Sequence, residues 1–242
     1  MITVFASSPL IFIYLYLVSA PYGKHSRKGW GPGINPRIAW MVMETPAVCV
    51  IALFFALSER RMNLVSIIFL LIWEFHYVQR TYVYPFLIRS NKRFPVVLIV
   101  FAIVFNSCNG YINGRYLFQF SRVYSVSWFR DPRFILGVIF FIAGFFINRQ
   151  ADHILRKLRK PGEDGYKIPY GGFFKYVSNP NYFGEILEWT GWAIATWSLP
   201  GLAFAVFTIA NLMPRAHSHH QWYLQNFSGY PAERKILIPF LY

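Results

Sequence analysis

Long apolar runs separated by short polar gaps constrain this chain more than any other feature. The stretches 2–20, 36–57, 63–88, 94–110, 132–148, 182–197 and 199–214 each approach the roughly 20 mostly apolar residues that a helix needs to cross hydrocarbon. The spacing predicts an all-α integral membrane protein with seven transmembrane helices, forming a single multi-pass domain over 1–242. Only Ser198 separates the last two runs, and Leu199–Pro200 opens the second of them, so one bent span is the alternative there. Composition agrees. Hydrophobic residues make up 55% of the chain and charged residues 14%, where an ordinary soluble domain carries about 25% charge. So few charges cannot cover a soluble surface, and aromatic content of 20% excludes disorder. Cys49 and Cys108 both lie inside apolar runs, which argues against a disulfide framework or a zinc site.

The net charge is +14. Its distribution points to a membrane surface and membrane lipid, not to nucleic acid, because the basic residues fill gaps between apolar runs. Lys24, Arg27 and Lys28 follow the first run, and Arg89, Lys92 and Arg93 the third. Arg149, Arg156, Lys157, Arg159, Lys160, Lys167 and Lys175 follow the fifth, and Arg215, Arg234 and Lys235 the last. The opposite gaps hold only Arg60, Arg61, Arg115, Arg122, Arg130 and Arg133. This excess predicts that the first set is cytoplasmic, with the N-terminus outside and the C-terminus inside. Segments 149–181 and 215–242 then form a cytoplasmic cap. A bacterial inner membrane and an endoplasmic reticulum membrane both suit this topology, and no obligate protein partner is indicated.

Several polar side chains interrupt the apolar runs. Glu44 lies in the second, where a bare carboxylate is costly unless it faces a cavity, has a partner or keeps its proton; the bland alternative is a packing carboxyl bonded to a neighbouring Tyr or Arg. In the third, Glu74, Tyr77, Arg80 or Thr81, and Tyr84 recur every three to four residues, which predicts one helical face. A phenol, a guanidinium and a second phenol on one face suit an anionic or carbonyl-bearing ligand. The bland alternative is an internal Glu74–Arg80 pair. Asn148 and Asp152 share a face that Arg156 and Arg159 continue. Ser178 or Asn179 is placed to cap a helix that starts at Pro180, with Asn181, Glu185 and Glu188 on one face. Carboxylates and an amide at that entry are good partners for the hydroxyl and amide groups of a polar cofactor. His217, His219 and His220 invite a metal reading, but the remaining histidines form no further boxes. Gly29–Trp30–Gly31–Pro32–Gly33 fails as a dinucleotide fingerprint: no strand precedes it, and Pro32 and Pro36 block a following helix.

Together these residues resemble the steroid 5α-reductase family. The strings are Tyr22–Gly23–Lys24–His25, Glu44 with Pro46, His76–Tyr77 with Arg80–Thr81 and Val83–Tyr84, and Asn148 with Asp152. They continue through Leu155–Arg156–Lys157–Leu158–Arg159–Lys160–Pro161–Gly162–Glu163, Tyr166 with Ile168–Pro169 and Gly171–Gly172, and Asn181 with Gly184–Glu185–Ile186 and Glu188–Trp189. Arg215–Ala216, His219–His220, Tyr223 and Leu237–Ile238–Pro239–Phe240 close the series. The resemblance implies a seven-helix membrane enzyme that uses NADPH to reduce the Δ4 double bond of 3-oxo-Δ4 steroids; the histidine pattern separately predicts no metal. It assigns Glu44 and Tyr77 to the substrate carbonyl, Glu44 as a protonated donor kept so by its dry pocket. It adds Trp40 to the substrate pocket. It assigns the cofactor to Arg80, Tyr84, Asn148, Asp152, Arg159, Tyr166, Asn181, Glu185, His219 and Tyr223. Glu74, Met43 and the loop 88–93 depart from the family pattern. Competing readings are a reductase of enoyl or polyprenol lipids, an isoprenylcysteine-type methyltransferase using S-adenosylmethionine, and a non-catalytic lipid carrier. A methyltransferase has no use for a carbonyl-polarising pair, and a carrier has no use for a cofactor-sized polar cap.

Overall fold

The structure is a computed structural model describing residues 2–21, 23–89, 92–158 and 165–242. Its described residues are mostly helical, and the chain divides into two compact units, one of Pro21–Ile135 and one of Met1–Ala20 with Leu136–Tyr242.

In the first unit a short antiparallel pair, β1 (Gly33–Ile34) with β2 (Phe94–Pro95), adds a small strand element to the expected helices. Helix α2 (Pro36–Ala56) starts on Pro36 itself, so this proline does not block a helix as expected. Proline is pre-set for a first turn, where its missing N–H is not needed. The Asn35 side chain accepts from Arg37 N at 2.9 Å. Helix α3 (Leu64–Val78) is capped by Asn63, which accepts from Ser66 N at 2.9 Å. It then departs from the expected regular helix. Residues Gln79–Val83 form a wide π-turn, closed by Tyr84 N donating to Gln79 O, before the single turn α4 (Tyr84–Leu87). Pro85 is the cause within reach: having no N–H, it cannot make the regular bond to Thr81 O. Helix α5 (Val96–Arg115) runs past the apolar stretch that predicted it and ends in a second π-turn, where Ser121 N donates to Tyr116 O at 2.7 Å. It lies close along α2, since a Cβ on Gly110 would stand 3.2 Å from Val50 Cβ and one on Gly114 3.2 Å from Phe54 Cβ. Arg60 ties the loop beyond α5, donating to Gln119 O and to Ser121 Oγ at 3.0 Å each.

The second unit holds α1 (Ile2–Leu17), nearly all of α6 (Pro132–Lys157), α7 (Pro180–Thr196) and α8 (Leu199–Asn226). At the start of α6, Asp131 accepts from Arg133 N at 2.9 Å and pairs with its guanidinium at 2.7 Å. That pairing holds the Asp131 carboxyl down at about 2. The last two apolar runs are two helices, not one bent span. Trp197 turns the chain in the left-handed region (φ 43°), and Ser198 Oγ then caps α8 by accepting from Gly201 N at 3.1 Å. Helix α8 continues twelve residues past Pro214, and α1 packs along it, with the Tyr16 and His217 rings 5.0 Å apart. Helices α6 and α7 meet at backbone distance. A Cβ on Gly137 would stand 2.3 Å from Ala195 N, and one on Gly144 2.4 Å from both Glu188 N and Gly184 O. By length and composition, α2, α5 with its π-turn, α6 and α8 can cross a membrane; α1 is a shorter apolar helix.

Candidate active site

In the first unit two contacts link α2 to the stretch α3–α4 like rungs of a ladder. At one rung Trp73 Nε1 donates to Ala47 O at 2.9 Å. At another the Trp40 and Tyr84 rings meet at 5.2 Å, edge to face. Moving back along α2 matches moving forward along α3, so the helices are antiparallel. Glu44 lies between these rungs on α2 and Tyr77 lies between them on α3, which puts the two at one level. Tyr77 is 3% exposed, its ring 4.9 Å from Trp73. Arg80 stacks on Trp40 at 4.4 Å and on Tyr84 at 4.7 Å, which brings three of the expected residues together. The single face predicted for Glu74, Tyr77, Arg80 or Thr81, and Tyr84 needs correction, because the π-turn advances the chain by a smaller angle per residue than an α-helix. Arg80 reaches the aromatic pair; Glu74 does not join it. Both Glu74 carboxyl oxygens are buried with no hydrogen-bond partner among the described residues.

One member of this site escaped the sequence reading. Asn106 on α5 donates through Nδ2 to Met43 O at 2.7 Å and to Glu44 Oε2 at 3.1 Å. A donor at Oε2 fixes that oxygen as an acceptor and orients the carboxyl. The signal was present: Asn106, Asn109 and Asn113 recur on one helical face in an apolar run, and all three are buried.

In the second unit the start of α7 gathers the others. Asn148 Nδ2 donates to Asn181 O at 2.9 Å and to Glu185 Oε2 at 3.4 Å. Asp152 pairs with Arg149 at 2.5 Å. Asn179 stands at the cap position but makes no side-chain cap bond. Its Nδ2 instead donates to Ala216 O and Ile236 O, both at 3.0 Å, and its Oδ1 meets His219 Nδ1 at 3.2 Å. The His219 ring lies 5.4 Å from that of Tyr182, whose hydroxyl accepts from Arg215 at 3.1 Å. Tyr166 packs edge to face on Trp222 at 5.1 Å, and buried Tyr223 stacks on Tyr230 at 5.0 Å. Arg159 lies outside the described residues. Among the described residues no cluster of His, Cys, Asp or Glu could hold a metal ion. His220 Nδ1 meets Ser178 Oγ at 2.6 Å, and Tyr230 donates to that same hydroxyl at 2.6 Å.

Apolar helices of spanning length, with an acid, a phenol and amides turned inward, define a helical membrane protein with an internal polar site. Comparison with known proteins specifies it further. A family model described as 3-oxo-5-alpha-steroid 4-dehydrogenase matches residues 92–242. The chain is 46% identical to 3-oxo-5-alpha-steroid 4-dehydrogenase 1 of Bos taurus, over 95% of this chain and 91% of the relative. It is 46% identical to the Homo sapiens protein of that name, over 91% and 86%. It is 41% identical to steroid 5-alpha-reductase DET2 of Arabidopsis thaliana, over 100% and 95%. The chain belongs to this family and is an oxidoreductase.

Proposed function

We propose that this protein uses NADPH to reduce the Δ4 double bond of a 3-oxo-Δ4 steroid in a seven-span membrane domain with its N-terminus outside. The relatives' names supply the substrate class, and what supports the chemistry is the common level of Glu44 and Tyr77 along their helices, with Asn106 donating to Glu44 Oε2. A conjugated enone accepts hydride at its β-carbon only as its carbonyl oxygen gains negative charge. Donors fixed at that oxygen lower the barrier, each worth about 10²–10³ in kcat. Glu44 and Tyr77 are those donors, with Trp40 as an aromatic wall. Asn106 holds Glu44 Oε2 as the acceptor, which leaves the carboxyl proton to the other oxygen.

The donor set suits NADPH. Glu185 and Asp152 offer acceptors for hydroxyl and amide groups, Asn148 and Asn181 offer amides, and Tyr166 and His219 offer rings. Arg80, with Tyr84 beside it, and Arg159 match phosphate oxygens, and Tyr223 completes the set. When bound, the cofactor supplies the hydride. The cytoplasmic cap of 149–181 and 215–242 carries most of these residues.

The test is purified protein in nanodiscs with NADPH and testosterone or progesterone, followed by loss of enone absorbance. Glu44→Gln and Tyr77→Phe should each lower kcat by about 10²-fold and leave the cofactor Kd unchanged. Arg159→Ala should weaken cofactor binding. Turnover of an enoyl thioester with none of any steroid would refute the substrate class.

A further inference from the structure

Reduction of an enone needs a proton as well as a hydride. Glu44 and Tyr77, on the reading above, are engaged at the carbonyl oxygen, so the carbon next to it requires another acid. Glu74 has the placement. It precedes Tyr77 by three residues on α3, about 4.5 Å along the axis and about 60° round it. The outward face of that helix is formed by Leu64, Leu71, Phe75 and Val78, all exposed, and Glu74 lies on the flank between this face and Tyr77. Both of its carboxyl oxygens are buried and without a hydrogen-bond partner among the described residues. An ionised carboxylate so placed would be far more costly than a neutral acid. Thr81 repeats the pattern on the other side of Tyr77: it is 0% exposed, and its Oγ1 also has no partner. Packing alone would fill such positions with apolar groups. A carboxyl and a hydroxyl whose oxygens are buried, bracketing the carbonyl-binding phenol, suit a ligand or a moving proton.

We propose that Glu74 is the acid that protonates the α-carbon of the substrate. This rests on the enone-reductase reading and adds a residue to it. Once the β-carbon has received hydride, the former double-bond pair lies in an enolate whose oxygen is held by Glu44 and Tyr77. As the carbonyl re-forms, the α-carbon takes the Glu74 proton. One C–H bond forms, one O–H bond breaks, and the resulting carboxylate recovers its proton from water.

The experiment compares wild type, Glu74→Gln and Glu74→Leu, each full-length in nanodiscs with NADPH and testosterone in D2O. Leucine suits an apolar helix, so that variant folds even if the amide does not. Both variants should lose about 10²-fold in kcat while NADPH fluorescence titration gives an unchanged Kd. Deuterium at the α-carbon, confined to one face in wild type, should scramble. In the cofactor-free protein, the infrared band of a protonated carboxyl should weaken in both variants. Wild-type kcat in both variants overturns the proposal, and so does a slowed reaction that still labels a single face. A wild-type protein that reduces no enone overturns the underlying reading instead, and shows this before any variant is compared.

Discussion

Replacing Gly144 with alanine tests whether the α6–α7 seam sets the geometry at the start of α7. The new Cβ would stand 2.4 Å from Glu188 N, 2.4 Å from Gly184 O and 2.8 Å from Glu188 Cα. Ordinary contact needs about 1 Å more. These neighbours are backbone atoms, so no rotamer change can give way and the helices must part. Alanine in a helix interior gains up to about 1 kcal/mol over glycine. Overpacking costs about 1–3 kcal/mol, and contact with rigid backbone puts this site at the upper end. The net loss is about 2 kcal/mol, which lowers Tm by about 4–8 °C for a chain of this size. Asn148 lies one turn along α6, and its 3.4 Å bond to Glu185 is already long. Parting the helices breaks it, so on the proposed function NADPH affinity should fall about 5-fold, equal to one lost hydrogen bond of about 1 kcal/mol. The assays are thermal melting in nanodiscs and fluorescence titration. Gly165→Ala, with nothing within 4 Å of its added Cβ, is the control and should change neither. A Gly144→Ala protein with wild-type Tm and wild-type affinity would refute the reasoning.

Three further outcomes follow from the same geometry. Asn106→Ala removes the donor to Glu44 Oε2 and should lower kcat by about 5–10-fold, about 1 kcal/mol, with cofactor Kd unchanged; equal kcat would remove Asn106 from the site. Trp197→Gly relieves a left-handed residue and should stabilise the α7–α8 turn by about 1 kcal/mol, read as a rise in Tm; a fall would show that its indole, 58% exposed, anchors the turn more than its backbone strains it. The Asp131 carboxyl is held low by Arg133, so its contribution is complete above the unfolded value of about 3.9 and is lost as pH falls through about 2. Carbon NMR of labelled Asp131 should follow that titration and return to the ordinary range in Arg133→Ala.

Much of the helical framework was legible because burial in hydrocarbon demands long apolar runs, and these bracket α2, the stretch from α3 through α4, and α7 closely. The ends were less so. Helix α6 continues past Asn148 and α8 past Pro214 through polar residues, where the apolar signal stops but the backbone bonds do not. The π-turn at Gln79–Val83 was invisible to a search for 3.6-residue periodicity. In the candidate site, Glu44, Tyr77, Arg80 and Tyr84 stood out as polar groups in the wrong solvent. Asn106 did not, because a neutral amide costs less to bury than a charge and drew no attention. The cap bond expected of Asn179 failed for a tertiary reason: its side chain is drawn to Ala216, Ile236 and His219, far apart in sequence.

The wide turn after α3 has a consequence for how this sequence tolerates change. It stores one residue of slack between the indole anchor at Trp73 and the ring stack at Tyr84. Removing one residue there would take up that slack, with Pro85 still in the following turn. Designs that shorten or lengthen this helix should cut at Gln79–Val83, not upstream of it.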